Sequence, residues 1–505
     1  MPTLHETVEM HESLFAILAA KQAAENGWQV FVAERRDSLQ TAVKIRALLW
    51  KSASYLSECA ASRHRRPFFC APRACPPNCL SGHPLHDSFL MHMISRLYLL
   101  LPCILPAAES AAEPGYKNFD EPPHNYHTAP LKDRFTKLKA DLESGRIPLD
   151  HGSEKAFIIS LLKALDVPAS SQMLVFSTTS LQLRFITPRN PRAIFFNDGL
   201  YVGYIPGAKI EILSMDPELG AIFYMFDIPT GSRPIVVERS ERCVNCHTKE
   251  DTGFVPGIVI KSVVPGPTGG SLKTFRKERT GHDIPFSERF GGWYVTGDRG
   301  VATEWANVIG RYSGEEITKS PVQPGQLFDF AKYPVATSDI LPQLVHEHQA
   351  GAANRILQAS YRARTAFHLD KGSLSAARYA ELDEQARSLV RYLLFADEVP
   401  LPAGGIAGDA AFKADFLAKR RAVQGASLRE FDLRTRIFKY RCSYMIYSPE
   451  FEGLHARMKQ HIYLRLREAL SLENPVKDYA YLPAGEKQAI HAILKGTLTD
   501  LPAGW

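Results

Sequence analysis

From residue 172 to residue 238 the chain reads with a period of two, and this constrains the fold more than any other feature. Seven short runs rich in β-branched and aromatic residues (172–178, 181–186, 193–197, 200–205, 209–214, 220–226 and 234–238) are separated by Asn-Pro, Asp-Gly, Pro-Gly and Gly-Ser punctuation. A further strand is predicted at 257–264, followed by a glycine-rich turn at 266–270. Two helices precede the strands, at 131–142 and 153–165, the second with Ile158, Leu161, Leu162 and Leu165 on one face. From about Gln326 the composition shifts to helix formers and stays there to Trp505. The clearest helix starts at Ser338, a good N-cap. It carries Leu341, Leu344, Val345, His348, Ala352 and Ile356 along one side and turns Glu347, Asn354 and Arg355 away. Others are expected at 374–395, 409–421, 428–443, 452–472 and 484–497. The fold class that follows is α+β, a β-rich domain over 113–325 followed by an all-helical domain over 326–505.

Between the last strand of the β series and the one at 257 stands Cys243-Val244-Asn245-Cys246-His247. With 8 Cys and 17 His in 505 residues, the product of their frequencies gives roughly 0.004 chance copies of C-x-x-C-H per chain. Two thiols three positions apart can each add across a vinyl group of haem, and the adjacent histidine can ligate the iron. The other readings are a redox dithiol, a zinc half-site or a structural disulfide. Zinc would want a second Cys/His pair and a thioredoxin-like dithiol a βαβ setting, and neither is visible nearby. A motif embedded in strands also sets this chain apart from the small helical cytochromes.

The first ninety residues differ from the rest. Patchy helical periodicity over 4–58 gives way to an Arg/Pro/Cys/His-rich run from Arg63 to Pro84 with no period. A zinc site from Cys70, Cys75, Cys79 and His83 would need ligand pairs that the spacing does not repeat. Met93 to Arg96 then supplies a basic start, 97–105 an apolar run too short to span a bilayer, and Ser110-Ala111-Ala112 a small-residue cleavage site. The expectation is a signal peptide over 91–112 cleaved near Ala112, a translation start at Met91 or Met93, and a spurious or disordered extension over 1–90. The mature chain, with no transmembrane segment, would then be periplasmic, on the cell surface or secreted. N-terminal sequencing tests this: a mature chain beginning near Glu113 supports it, and an intact Met1 refutes it.

The segments Glu288-Arg289-Phe290-Gly291-Gly292-Trp293-Tyr294-Val295-Thr296-Gly297 and 431–440 resemble a family of exported bacterial proteins with one cytochrome c motif, mostly labelled only as cytochrome c domain-containing or hypothetical. The resemblance covers roughly 120–505 and implies a haem protein of the periplasm or cell surface. One departure matters. Where the family pattern has His-Met-Gly-Asn soon after Gly-Gly-Trp, this chain reads Glu304-Trp305-Ala306-Asn307, so no distal ligand carries over to that place.

One covalently attached haem c is therefore expected, held by Cys243 and Cys246 and ligated by His247, with Arg242 as a candidate partner for a propionate. The distal ligand is unknown, the candidates being Met215, Met225, His282 and His348. His346, facing away from His348, is expected to be exposed. Phe290, Trp293 and Tyr294 are candidates to wall the macrocycle. Cys442 reads as a buried, inert thiol. The formal charge of +6, without a basic stripe interleaved with aromatics, gives no support for nucleic-acid binding. The expected function is single-electron transfer with redox partner proteins. The alternatives are a haem-based sensor or small-ligand binder with an open sixth position, and a peroxidase-like enzyme. The di-haem peroxidase type would need a second C-x-x-C-H, which the sequence lacks.

Overall fold

A computed structural model of the chain describes residues 115–505 apart from 232, 275, 277–279, 298–300 and 302. The signal peptide, the extension before it and the Cys70/Cys75/Cys79/His83 cluster lie outside the described residues. What is described belongs to one unit, Glu109–Trp505, and has both helices and sheets.

Its centre is an antiparallel sheet in the order β6-β5-β4-β3-β2-β1-β9, with β1 Met173–Val175, β2 Arg192–Phe196, β3 Leu200–Tyr204, β4 Ile210–Asp216, β5 Gly220–Phe226, β6 Glu238–Arg239 and β9 Trp293–Tyr294. Successive strands are joined by local turns, as the punctuation predicts, and β9 returns from the aromatic segment to pair with β1. Two strand pairs lie outside this sheet, β7 Val263–Pro265 with β8 Ser271–Thr274, and β10 Val308–Ser313 with β11 Glu316–Pro321. Of the predicted strands, 181–186 is not one. Leu181 and Leu183 are 42% and 56% exposed, and Leu183–Phe185 forms a 3-10 turn instead. In 234–238 only Glu238 joins the sheet. In 257–264 only the last two residues pair with a strand.

Helix α1, Arg134–Glu143, is capped by Asp133, whose carboxylate accepts from the N–H groups of Phe135 and Thr136. Its Phe135 ring packs on Tyr224 at 4.9 Å, covering one face of the sheet. Helix α2, Glu154–Ala164, starts after the Ser153 cap and buries Ile158, Leu161 and Leu162 as its periodicity requires.

The opposite face of the sheet is covered by the 30-residue helix α4, Ile340–Leu369, which follows the one-turn helix α3, Val244–His247. Asp339, not Ser338, caps α4, accepting from Leu341 N. Ser338 is used elsewhere, donating to Tyr294 O and accepting from Leu174 N, so it fastens the helix start to β9 and β1. The far side of α4 packs against α5, Ala376–Leu393, and α8, Ala456–Leu470. Enclosed on both sides, α4 buries every residue from Ile340 to Asn354, while Arg355, Gln358 and Arg362 further along are half-buried. Glu347, Asn354 and His346 are 3%, 3% and 4% exposed, where Glu347 and Asn354 were expected to point outward and His346 to be exposed. The strand-to-helix change falls where the composition changes, and one hydrophobic core continues across it.

The helices α6, Ala410–Ala418, capped by Asp409, and α9, Ala484–Thr497, stand where predicted, and α7, Pro449–Glu452, precedes α8. The helix expected at 428–443 is absent. Phe431 bridges Phe438 as in a narrow hairpin, and Asp432 Oδ1 accepts from the N–H groups of Arg434 and Thr435 to close the turn. Aspartate competes in this way for backbone donors that a helix would otherwise use.

Burial pushes the Glu450 carboxyl of α7 up from 4.5 to about 8. Between those two pH values the unfolded chain has released a proton that the folded chain keeps. This group's contribution to stability is therefore fully present below pH 4.5 and lost as the pH rises through 8. Glu450→Gln is expected to raise the melting temperature more at pH 8 than at pH 5. An equal change at both would refute the assignment.

Candidate functional site

The C-x-x-C-H segment leaves β6 through a 3-10 turn, Glu241–Cys243, and forms α3. Both thiols of the motif are free, Cys243 half-buried and Cys246 exposed. Cys243 Sγ lies 3.2 Å from Ser240 Oγ, and burial raises its pKa. His247 packs its ring on Phe223 of β5 at 4.6 Å between centroids.

The imidazole is oriented from the backbone. His247 Nδ1 is 2.8 Å from the Gly257 carbonyl, to which it donates, and Gly257 N donates back to His247 O at 3.0 Å. With the proton on Nδ1, Nε2 keeps its lone pair, and it makes no hydrogen bond to a described residue. Burial lowers the pKa of the ring to about 4, so it is neutral at pH 7. A histidine prepared for a metal is arranged in this way, the second nitrogen bound to a carbonyl that sets tautomer and orientation.

That carbonyl is itself held by α4. Asn354 accepts from Ile258 N and donates to Ile258 O, both at 2.8 Å, which replaces the strand partner that 257–258 lacks. Gly257 is required here, because a Cβ would lie 2.3 Å from Asn354 Oδ1. Asn354 and Gly257 are the site residues that the sequence reading did not find. The only signal was a polar side chain within the stretch of α4, Ile340 to Asn354, that turned out to be buried throughout.

The register defines the surface around the motif. Phe223 of β5 lies opposite Leu213 of β4, Leu213 opposite Tyr201 of β3, and Tyr201 opposite Phe196 of β2. These four share one face of the sheet. The next row toward the open end carries Ile194, Gly203, Glu211 and Met225. Arg192 reaches over Gly203, which has no side chain in the way, to pair with Glu211 Oε2 at 2.9 Å. Leu213, Ile194 and Met225 are half-buried while Phe223 and Tyr201 are 5% exposed, so the cover of this face opens over Leu213, beside His247. Charge from the Arg192–Glu211 pair acts on both Cys243 and His247.

The remaining candidates fall in different places. Arg242 is exposed and makes no ion pair among the described residues. Met215 is 2% exposed in the core, and Met225 stands two residues beyond Phe223 on the same strand. His282 and His348 are brought together, with each other. Their Nδ1 atoms are 2.8 Å apart, His348 Nε2 is 2.8 Å from Ser443 Oγ, and the His282 ring stacks on Tyr392 at 4.1 Å. Burial lowers the pKa of both rings. Phe290 and Trp293 line a cavity of about 10 Å³ against α4, and Tyr294 turns to the other side of the sheet, donating to Pro188 O. Cys442 is 0% exposed, and burial pushes its thiol pKa far up.

No protein-family model, curated protein or solved structure matches the chain. No helix among the described residues is long and apolar enough to cross a membrane.

Proposed function

We propose that the chain is a monohaem c-type cytochrome, exported to the periplasm or cell surface, that transfers single electrons between redox partner proteins. It would be one of the exported cytochrome c domain-containing proteins that its sequence resembles. The observation that carries the reading is the His247 geometry, with Nδ1–H donated to Gly257 O and Nε2 left available beside two free thiols. The residues present fit the group. Each thiol would add across one vinyl, its S–H replaced by an S–C bond and the proton moving to the adjacent vinyl carbon, with no net oxidation. The half-buried apolar side chains of Ile194, Leu213 and Met225 offer the macrocycle a surface that water leaves at little cost. The haem iron supplies a one-electron couple. The chain's own residues position the ligand, exclude water and hold the ring in place, and electron transfer asks for no proton donor or nucleophile beyond these.

Haem staining of a denaturing gel tests this directly. Cys243→Ala combined with Cys246→Ala is expected to abolish the stain while the protein remains folded by circular dichroism, and a retained covalent stain would refute the assignment. Absence of haem from the parent protein, made in a host that matures c-type cytochromes, would refute it as well.

A further inference from the structure

We propose that the cleft between α4, α5 and the loop after the C-x-x-C-H motif binds a small zwitterion of the α-amino-acid class with a polar side chain. The proposal does not depend on the haem reading, and the two fail separately.

The cleft has a volume of about 280 Å³, close to the lower end of the range of small-molecule sites. Arg355 and Gln358 of α4 form one wall, and Gln385 and Ser388 of α5 another. Among the described residues that line it, Leu389 is the only large apolar one and none is aromatic. Such a lining suits a hydrophilic ligand, with no ring for a flat one to stack on.

The walls carry both signs of charge. Arg355 is anchored along one edge, where Nη1 donates to Thr280 O at 2.9 Å and to Gly351 O at 3.1 Å, and its guanidinium lies 4.0 Å from the centre of the Tyr392 ring. Its Nη2 is 3.8 Å from Asp283 Oδ1, beyond hydrogen-bond length. That edge of the fork is therefore open to a carboxylate. From the loop, Asp251 pairs with Lys261, while Glu250 is exposed and makes no ion pair with a described residue. A simple anion would meet two carboxylates here and a simple cation would meet Arg355, whereas a zwitterion answers both.

Other side chains in the cleft lack partners. Thr280 is 5% exposed, and its hydroxyl makes no hydrogen bond to a described residue, a cost that a bound molecule relieves. Gln385 is half-buried and, like the exposed Ser388, hydrogen-bonds through its side chain to no described residue. Amides and hydroxyls both donate and accept, which matches a polar side chain on the ligand. The cleft also adjoins the support of His247. Asn354 lines it while holding Ile258, and Gln358 Nε2 donates to Thr252 O at 3.2 Å. An occupant would therefore touch the residues that fix the 249–258 loop.

Isothermal titration calorimetry of the full chain, with L-glutamine, L-serine and L-glutamate as probes, tests this. At least one probe is expected to saturate with a Kd on the order of 1 mM or below, a range within reach of a ligand of about ten non-hydrogen atoms. Succinate and ethanolamine, which each carry one sign of charge, should bind far more weakly. Arg355→Lys keeps the charge and loses the fork, and should weaken binding roughly tenfold or more. Glu250→Gln and Gln385→Ala change side chains with no described partner to lose, so they should keep the parent melting temperature and weaken binding several-fold. Failure of all three probes to saturate would overturn the proposal. So would equal affinity for succinate or ethanolamine, or parent affinity in both Glu250→Gln and Gln385→Ala, which would put the ligand elsewhere. Haem staining bears on none of these outcomes.

Discussion

Arg276→Met is expected to cost the fold roughly 3–5 kcal/mol, since it leaves a carboxylate buried without its counter-charge. Arg276 Nη1 lies 3.0 Å from Glu347 Oε1 and Nη2 donates to Ile260 O at 2.7 Å, with the two side chains 2% and 4% exposed. Glu347 also accepts weakly from Gly281 N at 3.4 Å. The pair therefore ties α4 to the segment following the C-x-x-C-H motif. The companion variant Arg276→Met/Glu347→Leu should recover most of the loss, because apolar replacement of a whole buried pair is often neutral. Chemical denaturation of the three proteins measures both effects. A single-variant loss below about 1 kcal/mol, the range of exposed pairs, would show that water reaches these groups.

Asn354→Leu is expected to cost about 2–4 kcal/mol, because it strands two buried backbone groups of Ile258, each worth about 1–3 kcal/mol when left unmatched. Its larger interest is functional. The Asn354 amide holds residues 257–258 in place of a neighbouring strand, and the Gly257 carbonyl sets the tautomer of His247. Gly257→Ala strikes the same link from the other side, through a Cβ that would meet Asn354 Oδ1 at 2.3 Å. Under the proposed haem reading, both variants should stain for covalent haem, since neither touches a thiol, and both should shift the midpoint potential as the imidazole loses its oriented hydrogen bond. Spectroelectrochemistry read alongside denaturation separates the two roles. Lost stability with an unchanged potential would make Asn354 a structural residue only.

The sheet was legible where neighbours in sequence are neighbours in space. Strands β2 to β5 lie inside their predicted runs to within two residues, because turn residues and alternation act over a few positions. The predicted runs at 181–186 and 428–443 failed for a common reason. Their apolar spacing is compatible with several local structures, and the choice was made by contacts elsewhere, solvent at Leu181 and Leu183 and the Asp432 turn at Phe431. Ser338 shows the same limit in a single side chain. It has the chemistry of an N-cap, but Leu174 N and Tyr294 O claimed its hydroxyl, and Asp339 took the cap.

The candidate site divides along the same line. Cys243, Cys246 and His247 were readable because the pattern is contiguous and each residue type is rare, so the chemistry is written locally. Their surroundings were not. His346 was expected to be exposed from its place opposite His348, a rule that holds for a helix with one dry face and fails for α4, which is enclosed by the sheet on one side and by α5 and α8 on the other. Sequence alone determined the α+β class, the positions of strands β2 to β5 and the C-x-x-C-H motif, all of which follow from local periodicity and spacing. Only the tertiary structure decided that a helix nearly a hundred residues downstream holds the loop that orients His247, and that the same helix sets His346 against Phe196 and Tyr201. Contacts between residues so far apart depend on how the elements pack, and no local pattern encodes that.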